Sequence, residues 1–276
     1  MGINVGHVFQ MGKSHRVCED YAASGTLDGD KYYAFVSDGC SGSDNTDIGA
    51  RLLVRQAIKR FDGGVVGVAN LDQLIASADS SREMLGLHPT SLDATLLGVG
   101  FNGNAQTVGL FAAGDGCIVL KYKSGSIQIV TLNPCSINGG EYPIYLSYRL
   151  DKKRLGGLIQ TEGFSCPTFN DAMYDSNDKV QYMLDDDCPT YTYRRVRYSC
   201  EEINFIAVMS DGLSTFSDEN RKGISVLEIV KELMAFKSTG GPFVDRRMNG
   251  FRKKCKREGW THDDDFSMAV ISLGEE

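Results

Sequence analysis

Phe205-Ile206-Ala207-Val208-Met209-Ser210-Asp211-Gly212 is an apolar run that stops abruptly in Asp-Gly, and Tyr32-Tyr33-Ala34-Phe35-Val36-Ser37-Asp38-Gly39 repeats the pattern far upstream. Phe111-Ala112-Ala113-Gly114-Asp115-Gly116 ends in the same way, and Asp263-Asp264-Asp265 leads straight into the apolar residues 266–271. Runs of this length and apolarity predict buried strands, so each acid falls where a core strand reaches the surface. If those strands are neighbours, the carboxylates crowd together, and crowded carboxylates stay ionised at neutral pH only around a cation. Asp-Gly is also a common turn dipeptide. Asp28-Gly29 and Asp62-Gly63, which follow no buried-type run, are read as turns.

Further strand-like runs at about 93–101, 106–113, 116–122 and 126–131, separated by turns such as Asn102-Gly103-Asn104 and Ser124-Gly125-Ser126, predict an antiparallel meander. Helical periodicity marks Ile48, Leu52, Ala57, Ile58 and Phe61 as one face, and Leu71, Leu74, Ile75, Ala78 and Met84 as another. Ser225-x-x-Glu228 is a capping box for a third helix through Leu227, Ile229, Val230 and Leu233. Pro242 opens a fourth, with Val244, Met248, Phe251 and Cys255 inward, ending at Gly259. Strands in blocks with helices in pairs predict an α+β protein, and no linker or repeat divides it. The expectation is one domain over residues 1–276 with an irregular insertion or flap around 133–203.

The 276 residues carry 42% hydrophobic and 24% charged side chains, an ordinary globular balance, and a net charge of −7. That charge argues against nucleic acid or an anionic membrane as partner. No stretch is apolar enough to span a bilayer and the first residues lack the regions of a signal peptide, so a cytosolic monomer is expected. Eight cysteines without a C-x-x-C pair predict reduced thiols in place of a zinc site or disulfide framework.

Oxygen ligands without His or Cys favour Mg²⁺ or Mn²⁺ over zinc. Glu19-Asp20, just upstream of the first apolar run, adds a further acidic pair. Two such ions in an all-carboxylate site bind a bridging water, lower its pKa and aim it at phosphorus. The chain has no P-loop, G-x-S-x-G elbow or C-x₅-R loop, and phosphoester hydrolysis at such a site needs none.

The succession Glu19-Asp20, Asp38-Gly39, Asp93-Ala94-Thr95, Gly114-Asp115-Gly116, Ser210-Asp211-Gly212 and Asp264-Asp265-Phe266-Ser267 resembles the motifs of the PPM-type (type 2C) metal-dependent serine/threonine protein phosphatases. The resemblance runs from about Gly6 to Leu273. It implies a four-layer α/β/β/α sandwich, two antiparallel sheets flanked by helix pairs, with a two-ion Mn²⁺ or Mg²⁺ centre at one end. By position, Asp38 would bridge the ions, Asp211 and Asp264 would hold one, Glu19 and the Gly39 carbonyl the other, and Asp20 would orient metal-bound water. Asp115 matches a position that helps to bind a third, weaker ion. The implied substrate is a protein phosphorylated on serine or threonine by a cognate kinase.

Three positions depart from the family. Cys40 stands where a leaving-group His is common, His15 with Arg16 beside it where some members place a phosphate-binding Arg, and Thr215 where a further Asp occurs. Arg suits bidentate phosphate binding, so Arg16 is the phosphate candidate, with His15 a second catalytic candidate. His262, near Asp264, is weaker. Asp185-Asp186-Asp187 reads as a solvated loop. Two other functions stay open: a catalytically weak or dead phosphoprotein-binding scaffold, and a small-molecule phosphoesterase.

Overall fold

The apolar runs that border acids are antiparallel strands in the computed structural model, which describes residues 2–27, 29–61, 68–165, 168–174, 180–183, 196–199 and 202–274. In chain order the strands are β1 (Asn4–Gln10), β2 (Tyr21–Leu27), β3 (Lys31–Ser37), β4 (Leu96–Asn102), β5 (Thr107–Ala113), β6 (Gly116–Tyr122), β7 (Ile127–Asn133), β8 (Cys135–Ile137), β9 (Gly140–Tyr142) and β10 (Phe164–Ser165). They continue with β11 (Thr168–Tyr174), β12 (Val180–Met183), β13 (Val196–Ser199), β14 (Ile203–Met209), β15 (Phe216–Ser217), β16 (Thr261–His262) and β17 (Phe266–Ser272). The described α-helices are α1 (Thr46–Arg60), α2 (Val68–Met84), α3 (Lys152–Ile159), α4 (Val226–Leu233) and α5 (Phe243–Glu258).

Two large sheets have the orders β1-β17-β14-β6-β7-β11-β12 and β13-β5-β4-β3-β2. Ile206, Val208, Ala269 and Ile271 of the first meet Ala34, Val36, Leu97 and Val99 of the second in one apolar layer. The alternate residues Phe205, Ala207, Met209 and Met268 pack outward on Ile229 and Leu233 of α4 and Met248 and Phe251 of α5. Phe35, Leu96 and Phe111 likewise pack on Leu53 and Ala57 of α1 and Leu74 and Ala78 of α2. Strands covered on both faces read as continuous apolar runs, which is why these were legible. Each fully buried Leu or Phe contributes about 1.5–3 kcal/mol over its exposed state.

The helices follow the sequence with two shifts. α1 buries Gly49, Ala50, Leu53, Val54 and Ala57, whereas Ile48, Leu52 and Ile58 lie at the margin. Gly49 turns that face inward, because a Cβ there would lie 1.6 Å from the Ser91 carbonyl oxygen. Met84, expected inside, is 82% exposed at the end of α2. The Ser225 hydroxyl accepts from Glu228 N at 3.2 Å, and Gly259 closes α5 in the left-handed region at φ 69.

The stretch around 133–203 carries more regular structure than its sequence suggested. β11 and β12 extend the larger sheet, β13 edges the smaller one, and β8, β9 and β10 form a small sheet of their own. α3 and the turn over Leu146–Arg149 complete this covering segment, whose Tyr145, Tyr148 and Leu155 pack around Cys135. The Asp185-Asp186-Asp187 and Asp62-Gly63 readings fall outside the described residues. Cys18, Cys40, Cys117 and Cys255 are free thiols.

Candidate metal centre

Register brings the acids to one end of both sheets. Tyr21 lies opposite Ser37, Gln10 opposite Phe266, Leu96 opposite Ala113, and Met209 opposite both Met268 and Cys117. Asp20, Asp38, Asp115, Asp211, Asp264 and Asp265 lie one or two residues beyond those pairs, so the chain must gather them.

Asp20 is fully buried and its Oδ2 accepts from the Ser210 hydroxyl at 2.7 Å. Ser210 Oγ also accepts from Ser267 N at 2.9 Å, so one hydroxyl ties Asp20 to the ends of β14 and β17. Asp38 lies within hydrogen-bonding reach of both Asp20 and Asp211. Its backbone is fixed by Thr95, whose Oγ1 accepts from Asp38 N at 2.9 Å and whose N donates to Asp38 O at 2.8 Å. Oδ1 of Asp20, of Asp115 and of Asp211 are all buried without a hydrogen-bonding partner.

Burial, with repulsion from Asp211, pushes the Asp20 carboxyl up to about 7. The same two causes, joined by Glu141, push Asp115 to about 7. Burial and then the charges of Asp20 and Asp211 hold Asp38 well above the usual carboxylate range, and burial with Asp264 raises Asp211. Unpartnered oxygens in a desolvated space, on side chains that repel each other, suit a hard divalent cation by charge and donor type.

Glu19 stands at the rim, its Oε1 accepting from Thr46 Oγ1 at 3.0 Å. Thr46 also packs on Gly39, since a Cβ there would lie 2.8 Å from that of Thr46, so Glu19 and the Gly39 backbone are close neighbours. Asp264 is 36% exposed and its backbone N donates to Thr215 Oγ1 at 3.3 Å. Thr215, standing where a further acid was possible, thus holds the loop of Asp264. Gly212 lets that loop approach, because a Cβ there would lie 1.8 Å from Asp265 O.

His15 and Arg16 diverge. The His15 ring lies inside, with Nε2 3.0 Å from Asp264 Oδ1 and Nδ1 3.4 Å from Glu19 Oε2 and 3.2 Å from Asp265 Oδ2. Arg16 is exposed and lines, with Ser14, Glu19 and Ser41, an open depression of about 410 Å³ beside the acids. His262 is structural: Nδ1 donates to Asp264 O at 2.7 Å while the ring stacks 4.9 Å from Phe216.

Two acids carry more than their motifs suggested. Asp265 is buried and accepts from Gly12 N at 2.7 Å and Glu19 N at 2.5 Å, clamping the loop that delivers Glu19. Asp93 is also buried and accepts from both guanidinium arms of Arg154, at 2.8 and 2.7 Å, and from Ser147 Oγ at 2.6 Å. Its backbone O accepts from Cys40 N at 2.9 Å, so Asp93 fastens the covering segment beside the acids. Cys40 itself is half-buried within reach of the Tyr145 hydroxyl, which burial pushes above its usual range. Only adjacency to a site acid could have flagged Asp265, and nothing in the sequence announced Arg154.

The family model described as protein phosphatase 2C matches residues 11–250. Among solved structures, the serine/threonine phosphatase Stp1 from Staphylococcus aureus has a TM-score of 0.57 at 10% identity, covering 100% of this chain and 96% of that one. The S. agalactiae serine/threonine phosphatase gives 0.54 at 12% identity over 99% and 100%. RsbX, solved in complex with magnesium, gives 0.51 at 12% identity over 99% and 96%. At these identities the likeness is one of fold. No curated protein matches in sequence.

Proposed function

Because this chain belongs to the protein phosphatase 2C family, we propose that it hydrolyses phosphoserine and phosphothreonine in proteins at the carboxylate cluster, using two divalent cations of the Mn²⁺ or Mg²⁺ kind. The observation that carries this reading is the convergence of three buried, unpartnered oxygens, from Asp20, Asp115 and Asp211, on the end of the sandwich. Such a cluster fits a cation by charge, donor type and desolvation.

In this reading Asp38, Asp211 and Asp264 would hold one cation, Asp38, Glu19 and the Gly39 carbonyl the other, and Asp115 would add a donor for a weaker third. Bound cations would supply an activated water and offset charge on the phosphoryl group. Asp20, fixed by Ser210, would orient the attacking water and accept its proton. Arg16, exposed at the open rim, would meet the incoming phosphate. The substrate class is a phosphoprotein made by a Ser/Thr kinase, and the acting form is a cytosolic monomer of one domain. Among the described residues no helix is long and apolar enough to cross a membrane.

The experiment compares phosphoserine and phosphothreonine peptides with small phosphometabolites, each with Mn²⁺ and with chelator. Metal-dependent release from the peptides supports the proposal. Release from metabolites alone selects the small-molecule reading, and no release from either selects the binding scaffold.

A further inference from the structure

The fold sets the His15 imidazole among the oxygen donors read from the sequence. His15, Glu19 and Asp265 each offer a ligand atom, the three within 4.8 Å of one another, and His15 Nδ1 faces Glu19 Oε2 and Asp265 Oδ2. A neutral imidazole has one N–H and one lone pair. Nε2 lies 3.0 Å from Asp264 Oδ1; in the tautomer with its N–H there, the Nδ1 lone pair faces the Glu19 and Asp265 oxygens and is open to a cation. A ring nitrogen and two carboxylate oxygens gathered this closely call for a positive charge among them, from a bound cation or from a second proton on the ring. The Nδ1 distances, 3.4 Å to Glu19 and 3.2 Å to Asp265, exceed the roughly 2.7–2.9 Å of a charge-assisted hydrogen bond. They suit the edges of a coordination shell, which for ligands at about 2.1 Å in an octahedron are about 3.0 Å.

We propose that His15 Nδ1, with Asp265 Oδ2, is a ligand of the divalent cation at Glu19, and that this nitrogen biases the site toward Mn²⁺ over Mg²⁺. The proposal rests on Glu19 as a cation ligand. Imidazole suits transition ions, whereas Mg²⁺ takes oxygen almost throughout, so a nitrogen in the shell discriminates between the two. The second role of Asp265 is compatible with its first, since each carboxylate oxygen has a lone pair left after accepting one N–H.

The test uses the full chain loaded with Mn²⁺, with ordinary and ¹⁵N-labelled histidine, and reads nitrogen coupling to the metal by pulsed electron paramagnetic resonance. Calorimetric titration of Mn²⁺ and of Mg²⁺ runs in parallel on the wild type and on His15→Gln. The expected result is an imidazole coupling that changes with the label and vanishes in His15→Gln. Mn²⁺ binding should weaken by at least the roughly 10- to 100-fold seen for outer partners of metal ligands, with Mg²⁺ nearly unaffected. Mn²⁺ binding without imidazole coupling, or a coupling that survives His15→Gln, overturns the proposal while leaving the metal centre standing. Absence of any Mn²⁺ binding overturns both. The wild-type spectrum decides even if the variant fails to fold.

Discussion

Asp20→Asn should stabilise the metal-free protein, and only on the alkaline side. The Asp20 carboxyl moves from an ordinary 3.8 to about 7 in the fold, chiefly through burial. A group whose folded pKa is raised stabilises fully below its unfolded value and loses that contribution as pH rises through the folded one. The window is therefore pH 4 to 8, with stability falling as pH rises. At 1.36 kcal/mol per pH unit, the displacement corresponds to about 4 kcal/mol of destabilisation once Asp20 is ionised. Asp38, Asp115 and Asp211 titrate with it, so relief by one amide is shared and comes to about 2–4 kcal/mol at pH 8. The Asn oxygen still accepts from Ser210, so little is lost in exchange. Urea denaturation in chelator at pH 5 and pH 8 provides the assay. Wild type should be the less stable at pH 8 and Asp20→Asn should recover most of the difference. Equal wild-type stability at the two values would refute the crowded-carboxylate account.

Three other outcomes follow from particular contacts. Asp93→Ala strips Arg154 and Ser147 of their acceptor; because the Arg154 side chain is 38% exposed, the cost should be about 2 kcal/mol, below the 3–5 of a fully buried pair. Hydrogen exchange should rise across residues 144–159, and unchanged protection there would mean that the segment is held elsewhere. Gly212→Ala must displace Asp265 O and should destabilise by roughly 1–3 kcal/mol, whereas Gly223→Ala, with no atom within 4 Å of its added carbon, should stay within about 0.5 kcal/mol. Arg16→Ala should raise KM for a phosphopeptide about tenfold, the lower end for a charge-assisted contact, and leave kcat nearly intact; an unchanged KM removes Arg16 from the phosphate site.

Legibility in the sequence tracked burial. β3, β14 and β17 are covered on both sides and stood out as unbroken apolar runs. β1 and β2 were missed because each is an edge strand, β1 with His7 exposed and Gly6 and Gln10 half-covered, β2 built from Ala, Ser and Gly. β11 and β13 pair with β7 and β5, strands far from them in the chain, and long-range pairing leaves no local signal. The site acids were legible because strand ends repeat a pattern, and antiparallel register then forced them together. His15 inside the cluster and Arg154 on Asp93 depend on how separate loops pack. No spacing encodes that.

Phosphate release from a phosphoserine peptide, after exhaustive chelation and again after Mn²⁺ is restored, tests the central claim most directly, with Asp38→Asn alongside. The carboxylates provide cation donors, and the account has a cation-activated water attack phosphorus. Release should stop with chelator, return with Mn²⁺, and stay absent in Asp38→Asn under both conditions while the variant remains folded. Full release by the chelated wild type, or near-normal release by Asp38→Asn, would contradict the account.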